Sequence, residues 1–244
     1  LEDYAKAFNK NITLIPSLID VSKYNKVQVL KSKVFTIVWI GSPSTIHYLS
    51  SVFNVLKKIC IQYNFKLRII GAKLEENLPF IEYITWSEAK EVDALKSAHL
   101  GIMPLIDEYW SRGKCGFKLI QYMAAKLPTI ASEISANKQI VLNNQTGLFA
   151  NNDREWEDAI LEIYKNKNKF HEFGNNGYNR VNEFFSYQSK NKDFLNVISN
   201  LFFKKYKSED QIINYFNTDK IEISIVCTTF MHGKFIQNAI DGFL

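Results

Sequence analysis

The sequence predicts an α/β protein built on a doubly wound parallel sheet, with helices at the C-terminal end. Short strand patterns alternate with helical patterns along most of the chain, which is typical of this class. The strands are apolar on both faces, as in sheets that helices cover on both sides. An apolar content of 46% over 244 residues is ample for the core of one large domain, with or without an extension.

The first strand is predicted at residues 34–40, where β-branched and apolar residues follow one another without a break. Pro43 and the hydroxyl side chains beside it mark a helix start, and the helical pattern continues to about Tyr63. The later strands are predicted at residues 65–70, 81–85, 100–105, 129–131 and 148–149. The later helices are predicted at residues 88–97, 117–125, 155–165 and 168–200, the last with a break near 174–177.

The composition changes near residues 204–220, which are charged and weakly periodic and predict a linker or a terminal helix. Residues 221–226 form another apolar strand pattern, and a helical pattern follows at 235–244. One strand and one helix cannot bury a core alone, so this segment either packs on the main domain or opens a second one. We therefore predict a main domain at 1–203, a linker at 204–220 and a truncated second α/β domain at 221–244.

Charge and cysteine content exclude several functional classes. The net charge of +5 is modest, and lysines are mixed with glutamates, so no nucleic-acid partner is expected. The cysteines at 60, 115 and 227 have no metal-ligand spacing and form no even set, which favours a reducing compartment. No apolar run approaches the ~18 residues of a membrane span. The chain begins at Leu1 without a signal peptide, so we expect it to be cut from a longer protein.

Residues 98–132 carry the strongest functional signal. A strand pattern is followed by glycines and cations at a helix start, where free N–H groups and the helix dipole can hold a diphosphate. Lysines at a helix N-terminus oppose the dipole unless an anion lies beside them, the alternative being that both are solvated. Lys114, Lys118 and Gln121 fall on one side of this helix. The predicted diphosphate-binding residues are Arg112, Gly113, Lys114, Gly116 and Lys118.

The loop after the first strand is a second candidate for phosphate binding. Its N–H groups, together with the hydroxyls of Ser42, Ser44 and Thr45 after Gly41, could hold phosphate oxygens at the helix start. The alternative is simple N-capping by these hydroxyls. The loop has neither a G-x-G-x-x-G pattern nor a Walker lysine, so it is not a common dinucleotide-binding motif or a P-loop.

Further side chains are candidates for the same site. Asp107 follows a strand at its carboxyl end, where ligands bind in open α/β sheets, although a polar loop is the alternative. Trp86 and Trp110 could stack on a base or a sugar, or close the edge of the core. Gln121 could bind a sugar hydroxyl or lie at the edge of an apolar stripe. Cys115 has no histidine near it in sequence and is more simply explained as a small filler.

These motifs resemble the donor-binding C-terminal half of family 4 GT-B glycosyltransferases. The resemblance covers about residues 10–200 and lies in residues 39–45 (WIGSPST), 84–87 (ITWS), 101–105 (GIMPL) and 112–124 (RGKCGFKLIQYMA), with 15–20 similar to the entry segment. It implies a Rossmann-like domain, a nucleotide-sugar donor, retention of anomeric configuration and no obligatory metal. It also implies donor contacts from Pro104 and Phe117, together with the glycines and polar residues named above.

The chain departs from the family pattern at several positions. The usual pair of glutamates falls on Gly113 and Gln121, and no Arg or Lys follows Gly41. Lys126 stands where a glycine is usual. These departures shift the predicted neutralisation of the phosphates to Arg112, Lys114 and Lys118, which we predict as the catalytic residues, and they leave the donor open.

Residues 223–230 (ISIVCTTF) resemble the first strand and turn of a family 2, GT-A type glycosyltransferase. This resemblance implies a parent chain that joins two glycosyltransferases in series. The partners expected for it are a missing N-terminal GT-B domain and the missing remainder of the GT-A domain.

The sequence therefore predicts the donor half of a bacterial-type glycosyltransferase that acts on a surface polysaccharide or glycolipid. We expect the isolated chain to bind a nucleotide-diphospho-sugar but to transfer nothing, without a cofactor or a metal. A non-catalytic nucleotide-sugar binding or scaffolding module is the main alternative. A GT-B-like epimerase would need carboxylates or histidines in the cleft. The expected location is cytoplasmic, with peripheral contact of the parent with the inner face of a membrane left open.

Overall fold

The computed structural model describes Lys6 and residues 12–205 of the chain. Six strands lie in that part: β1 (Thr36–Ile40), β2 (Lys66–Ile70), β3 (Ile81–Ile84), β4 (Leu100–Met103), β5 (Thr129–Ala131) and β6 (Gly147–Phe149). The helices are α1 (Val21–Lys26), α2 (Ile46–Ser50), α3 (Phe53–Tyr63), α4 (Glu88–Lys96), α5 (Tyr109–Arg112), α6 (Phe117–Ala124), α7 (Asn137–Ile140), α8 (Asp153–Lys165), α9 (Lys167–Phe184) and α10 (Tyr187–Lys205).

The chain divides into two compact units, Leu1–Leu195 and Asn196–Leu244. The first unit contains the whole sheet, and the described part of the second is the end of α10. Residues 206–244, which hold most of the predicted linker and the predicted second domain, lie outside the described residues. Within the described residues, no helix combines the length and the apolar content needed to cross a membrane.

The sheet confirms the predicted fold class. All strand pairs are parallel, and their order is β3-β2-β1-β4-β5-β6. The chain runs outward from β1 to β3 and then returns to place β4 on the other side of β1, so the winding reverses between β1 and β4. In open α/β sheets the crevice at the carboxyl end of such a reversal is where ligands bind.

Strand β1 lies inside the sheet, between β2 and β4, and both of its faces are covered. Its five residues are all buried, as expected for a strand between two helical layers. Val38 and Ile40 belong to the apolar cluster that includes α6 residues, whereas Ile37 and Trp39 belong to the cluster on the other face, with α3 and α8 residues. The alternation follows from the two-residue period of a strand.

Tyr122 of α6 bridges the point where β1 and β4 separate. The two strands pair at Ile37 with Leu100 and at Val38 with Gly101. Further on, the Ile40 N–H donates to the Tyr122 hydroxyl at 3.0 Å, and that hydroxyl donates to the Ile102 carbonyl oxygen at 3.2 Å. The buried phenol fits because residue 101 is glycine: a Cβ there would lie 2.4 Å from the Tyr122 ring.

The predicted helix break near residues 174–177 is wrong. Gly174 and Gly177 lie inside α9, and the interruption comes later, between α9 and α10. A Cβ on Gly174 would lie 2.5 Å from the Lys126 carbonyl oxygen, and one on Gly177 would lie 3.0 Å from Met123 Cγ. The two glycines are therefore needed for the close packing of α9 against the end of α6, not for a turn.

The single helix predicted after the first strand is also interrupted. A 3-10 turn (Pro43–Thr45) leads into α2, and α3 begins only at Phe53. The short helices α1, α5 and α7 were not predicted, because segments of four to six residues give too little periodicity to detect. The bounds of β5 agree with the prediction. Strands β3 and β4 end one and two residues earlier than predicted, whereas β1, β2 and β6 end where predicted but differ by one or two residues at their start.

Candidate functional site

The carboxyl ends of β1, β2 and β3 converge on two glycines. The Gly41 N–H donates to the Ile70 carbonyl oxygen at 2.9 Å, and the Gly71 N–H donates to that of Ile84 at 3.0 Å. Gly71 has a φ of +84°, and a Cβ on it would lie 2.3 Å from the Gly41 carbonyl oxygen and 3.3 Å from Trp86 Cβ. The backbone ends therefore meet closely, and Trp86 lies beside the loop that follows β1.

The hydroxyls of that loop are engaged with one another. The Ser42 N–H donates to Thr45 Oγ1 at 3.1 Å, and the Ser42 and Ser44 hydroxyls share a 2.8 Å hydrogen bond. Thr45 Oγ1 in turn donates to the Ser42 carbonyl oxygen at 3.1 Å. This is the capping arrangement that the sequence left open as the alternative. Ser42 and Ser44 are exposed, so a phosphate could still reach their oxygens, and this role stays a prediction.

Two lysines from the segment before and inside α6 lie over aromatic rings of the β1–α2 unit. Lys118 Nζ is 4.6 Å from the centroid of the Trp39 ring, and Lys114 Nζ is 5.3 Å from that of Tyr48. Such contacts hold a cation without neutralising it. Among the ion pairs of the described residues, none includes Lys114 or Lys118.

The Trp39 ring connects these lysines to the glycine loop. A Cβ on Gly41 would lie 2.1 Å from Trp39 Cη2, so the ring lies directly against residue 41. Because Lys118 Nζ lies over the same ring, the first residue of the loop and Lys118 share one wall of the crevice. The structure thus brings together Gly41 and Lys118, two residues that the sequence assigned to separate motifs.

Burial weakens the protonation of both lysines, and repulsion from Lys114 adds to this effect at Lys118. Burial, with a further contribution from Lys114, lowers the pKa of Lys118 to about 7. Burial also lowers the pKa of Lys114, although Cys115 and Glu108 act in the opposite direction. Neither lysine forms an ion pair among the described residues, although Glu108 lies near Lys114, and a bound anion would offset the cost of holding two partly buried cations close together. The pair therefore has the electrostatics of an anion site.

The start of α6 adds backbone donors to the lysines. Its N-cap, Gly116, has a φ of +70°, and a Cβ there would lie 2.3 Å from Ile140 Cδ1, so only glycine fits. The N–H groups of Phe117 and Lys118 have no acceptor in the described part of the chain, as is usual in a first helical turn. They and the helix dipole favour an anion at the same end of the helix that carries the lysines.

Arg112 has a different environment from the two lysines. Its Nε donates to Asp107 Oδ1 at 2.8 Å, and both side chains are mostly exposed. The hydrogen bond raises the pKa of Arg112 and lowers that of Asp107. Two predicted site residues are thus paired with each other, and this pair uses two of the five N–H donors of Arg112.

Gln121 lies against a glutamate that the sequence analysis missed. Its Nε2 donates to Glu91 Oε1 at 2.6 Å, and Trp86 Nε1 donates to Glu91 Oε2 at 2.5 Å. Gln121 is only 6% exposed, so it lies neither at the edge of a stripe nor in solvent. The sequence shows Glu91 only as an acidic residue in the first turn of α4, and nothing in it indicates a contact with Gln121, 30 positions away.

The remaining predicted residues differ in how far they are buried. Pro104 is buried directly after β4, and Phe117 is 38% exposed at the start of α6. Gly113 is exposed, and a Cβ there would meet nothing nearer than the Trp110 carbonyl oxygen at 3.6 Å, so packing does not demand glycine. Cys115 is exposed, unlike a filler residue. The described residues contain no cluster of three or more His, Cys, Asp or Glu that could hold a metal ion.

Comparison with protein families identifies the chain. The profile of the family described as "Glycosyl transferases group 1" matches residues 34–166, which is more than half of the sequence. The chain belongs to the group 1 glycosyltransferases. The matched segment runs from just before β1 into the loop after α8, so it contains the glycine loop, both lysines and Gln121.

A relative of this group 1 domain is a probable sucrose-phosphate synthase of Thermosipho melanesiensis. The two sequences are 24% identical over 202 residues, which make up 78% of this chain and 45% of the relative. The group 1 domain therefore spans less than half the length of that protein.

Solved structures establish the GT-B type of the fold. Staphylococcus aureus TarM, in complex with Fondaparinux, α-GlcNAc-glycerol and UDP, matches with a TM-score of 0.57 at 19% identity, over 80% of this chain and 41% of TarM. Anabaena HepE, in complex with UDP and glucose, gives 0.63 at 12% identity, over 77% of this chain and 56% of HepE. The sucrose-phosphate synthase of Thermosynechococcus elongatus matches with a TM-score of 0.56 at 14% identity, over 78% of this chain and 50% of the synthase.

Proposed function

We propose that this group 1 domain is the donor-binding half of a retaining, family 4 type glycosyltransferase. It binds a nucleotide-diphospho-sugar at the crevice between β1 and β4. In the longer protein the glycosyl group passes to a polysaccharide or glycolipid acceptor that a facing domain presents. The observation that carries the proposal is the pair of lysines outside any ion pair of the described residues, Lys114 and Lys118, held over aromatic rings beside the open end of α6.

The chemistry of transfer explains why such a pair is useful. When the bond between the anomeric carbon and the phosphate oxygen breaks, its electron pair stays on the departing diphosphate, which gains negative charge. Donors and cations placed where that charge develops stabilise the transition state more than the ground state. Lys118, Lys114 and the first N–H groups of α6 supply them, and Arg112 can contribute the N–H groups that its pair with Asp107 leaves unused.

Several comparisons support a nucleotide-sugar as the ligand. TarM and HepE, which share this fold, were solved with UDP, and the related protein of Thermosipho melanesiensis is named a probable sucrose-phosphate synthase. The loop at 41–45 and the start of α6 face the same crevice, as two phosphates of one ligand require. We expect the chain alone to bind nucleoside diphosphates and to show no transfer, because the acceptor-binding half lies outside it.

Calorimetry with UDP, GDP and their glycosylated forms tests this proposal directly. The Lys118→Ala variant should lose about 1–3 kcal/mol of binding free energy, as expected for a charge-assisted hydrogen bond. Lys58→Ala serves as the control for net charge, because Lys58 pairs with Glu157 in an exposed ion pair elsewhere. An unchanged dissociation constant in Lys118→Ala, with an unchanged melting temperature, would show that Lys118 does not contact the nucleotide.

A non-catalytic nucleotide-sugar module is the second candidate. The observation in its favour is that Gly113 and Gln121 occupy the positions where related enzymes usually carry glutamates. Donor hydrolysis by the longer protein separates the two candidates. Release of free sugar from the bound donor supports the transferase, whereas tight binding without any hydrolysis or transfer supports the module.

A further inference from the structure

Glu91 is a carboxylate whose charge the surrounding residues leave uncompensated. Both of its oxygens accept hydrogen bonds, but from the neutral donors Gln121 Nε2 and Trp86 Nε1. No ion pair of the described residues includes it, whereas Glu88 on the same helix pairs with Lys23 at 2.6 Å. A carboxylate has about four acceptor sites, so two donors leave Glu91 able to accept further hydrogen bonds.

The position of Glu91 in the first turn of α4 does not explain this arrangement by itself. An acidic residue there gains from the helix dipole whether or not other side chains hold it. Here a nearly buried amide on α6 and an indole after β3 fix the carboxylate from two sides. Two side chains from other segments therefore hold this carboxylate in a fixed orientation, as the supporting residues of a binding site do.

The neighbours of Glu91 place it along the path from the diphosphate site. Gln121 lies one turn beyond Lys118 on the same face of α6, about 4.5 Å further along the axis. Trp86 is 49% exposed, and its Cβ lies 3.3 Å from the position that a Cβ on Gly71 would take, beside the loop after β1. The crevice thus offers cations, then a carboxylate, then an aromatic ring. A nucleoside diphosphate presents phosphates, then ribose hydroxyls, then a base.

We infer that Glu91 binds the ribose hydroxyls of the nucleotide, with Gln121 and Trp86 as the positioning residues that hold its carboxylate. This inference rests on the function proposed above and names the part of the ligand that sets its specificity. Two neighbouring hydroxyls can each donate a charge-assisted hydrogen bond to one carboxylate. It also accounts for glutamine at position 121, because a second carboxylate 2.6 Å from Glu91 would repel it.

The test compares ribonucleoside diphosphates with their 2′-deoxy counterparts by calorimetry on the full chain. The unmodified chain should bind UDP on the order of 10- to 100-fold more tightly than 2′-deoxy-UDP, the effect of a hydrogen bond to a charged group. In Glu91→Gln that ratio should fall towards one, through weaker binding of UDP and not of the deoxy form. Glu88→Gln, on the same helix turn but paired with Lys23, should keep the original ratio.

The outcomes separate this inference from the function on which it rests. If the chain binds no nucleoside diphosphate, the proposed function fails and the assignment of Glu91 fails with it. If UDP binds but Glu91→Gln keeps the original ratio, only the assignment of Glu91 is overturned. The unmodified chain decides the matter even if Glu91→Gln fails to fold, because equal affinity for the ribose and deoxyribose forms would also overturn it.

Discussion

The cost of burying the positive charge of Lys118 is compensated only in part by its neighbours. Its Nζ lies over the fully buried Trp39 ring, and burial lowers its pKa to about 7. The cation–π contact recovers part of the lost hydration, but no carboxylate completes the compensation. A bound diphosphate would supply the missing negative charge. The protonation of Lys118 and the binding of the ligand should therefore be coupled.

We predict that nucleoside diphosphate binding weakens as the pH rises above 7. Below its pKa of about 7, Lys118 is protonated before the ligand arrives, so no proton has to be taken up. Above it, binding must first protonate the lysine, which costs about tenfold in affinity per pH unit until the higher pKa of the complex is reached. Calorimetry between about pH 7 and 8.5 measures the slope, because the terminal phosphate is largely ionised in that range.

Lys118→Arg is the matched control for this pH dependence. A guanidinium stays protonated throughout the range, so the variant should bind with an affinity that hardly changes with pH. A slope equal to that of the unmodified chain would show that another group, or the ligand itself, takes up the proton.

Helices α6 and α9 make a close contact that two glycines permit. Gly174 lies against the Lys126 carbonyl oxygen and Gly177 against Met123, at the end of the helix that carries Lys118 and Gln121. Lys126 has a φ of +56°, and its N–H donates to the Met123 carbonyl oxygen at 2.9 Å. Helix α9 therefore supports the rear end of the helix whose front end faces the candidate site.

We predict that Gly174→Ala destabilises the protein even though alanine is the better helix former. The gain in helix propensity is about 1 kcal/mol, but a Cβ would lie 2.5 Å from a backbone oxygen that cannot turn away. Overpacking of this kind typically costs about 1–3 kcal/mol, so we expect a net loss of up to about 2 kcal/mol and a melting temperature lower by up to about 8 °C. Asn175→Ala, at the exposed neighbouring position of the same helix, should be neutral or slightly stabilising. A melting temperature that Gly174→Ala leaves unchanged would show that α9 can shift without cost.

The elements differ in how far the sequence could predict them. Strand β5 was placed with its observed bounds because Thr129 follows a proline and apolar residues run unbroken to Ala131. The glycines of α9 predicted a turn, since local sequence cannot tell a glycine needed for a bend from one needed for close packing. The lysines of α6 could be identified from their spacing. Their aromatic partners, and the pairing of Gln121 with Glu91, depend on how distant elements pack and could not be identified from the sequence.

The chain spans about half the length of the relatives named above. It spans 41% of TarM and 56% of HepE, and 45% of the related synthase. All residues of the candidate site nevertheless lie between positions 39 and 121, within the segment that the family profile matches. Nucleotide binding should therefore be a property of this domain, whereas transfer should require more of the protein.

We predict that ending the chain at Asn217 leaves the affinity for nucleoside diphosphates unchanged within about twofold. The residues removed include the apolar pattern at 221–226, which the sequence assigns to a separate domain and whose unpaired exposure would favour self-association. Light scattering should therefore report less association for the shortened chain, and calorimetry the same dissociation constant. A shortened chain that aggregates more, or binds less, would assign the tail to the core of the first domain.

The Tyr122 bridge determines whether the crevice must be created when a ligand arrives. With its phenol between the Ile40 N–H and the Ile102 carbonyl oxygen, neither backbone group can pair directly with the neighbouring strand. The two strands consequently cannot extend their pairing beyond Val38 and Gly101 when the site is empty. The gap between the carboxyl ends of β1 and β4 is therefore part of the folded core and does not have to form when a ligand binds.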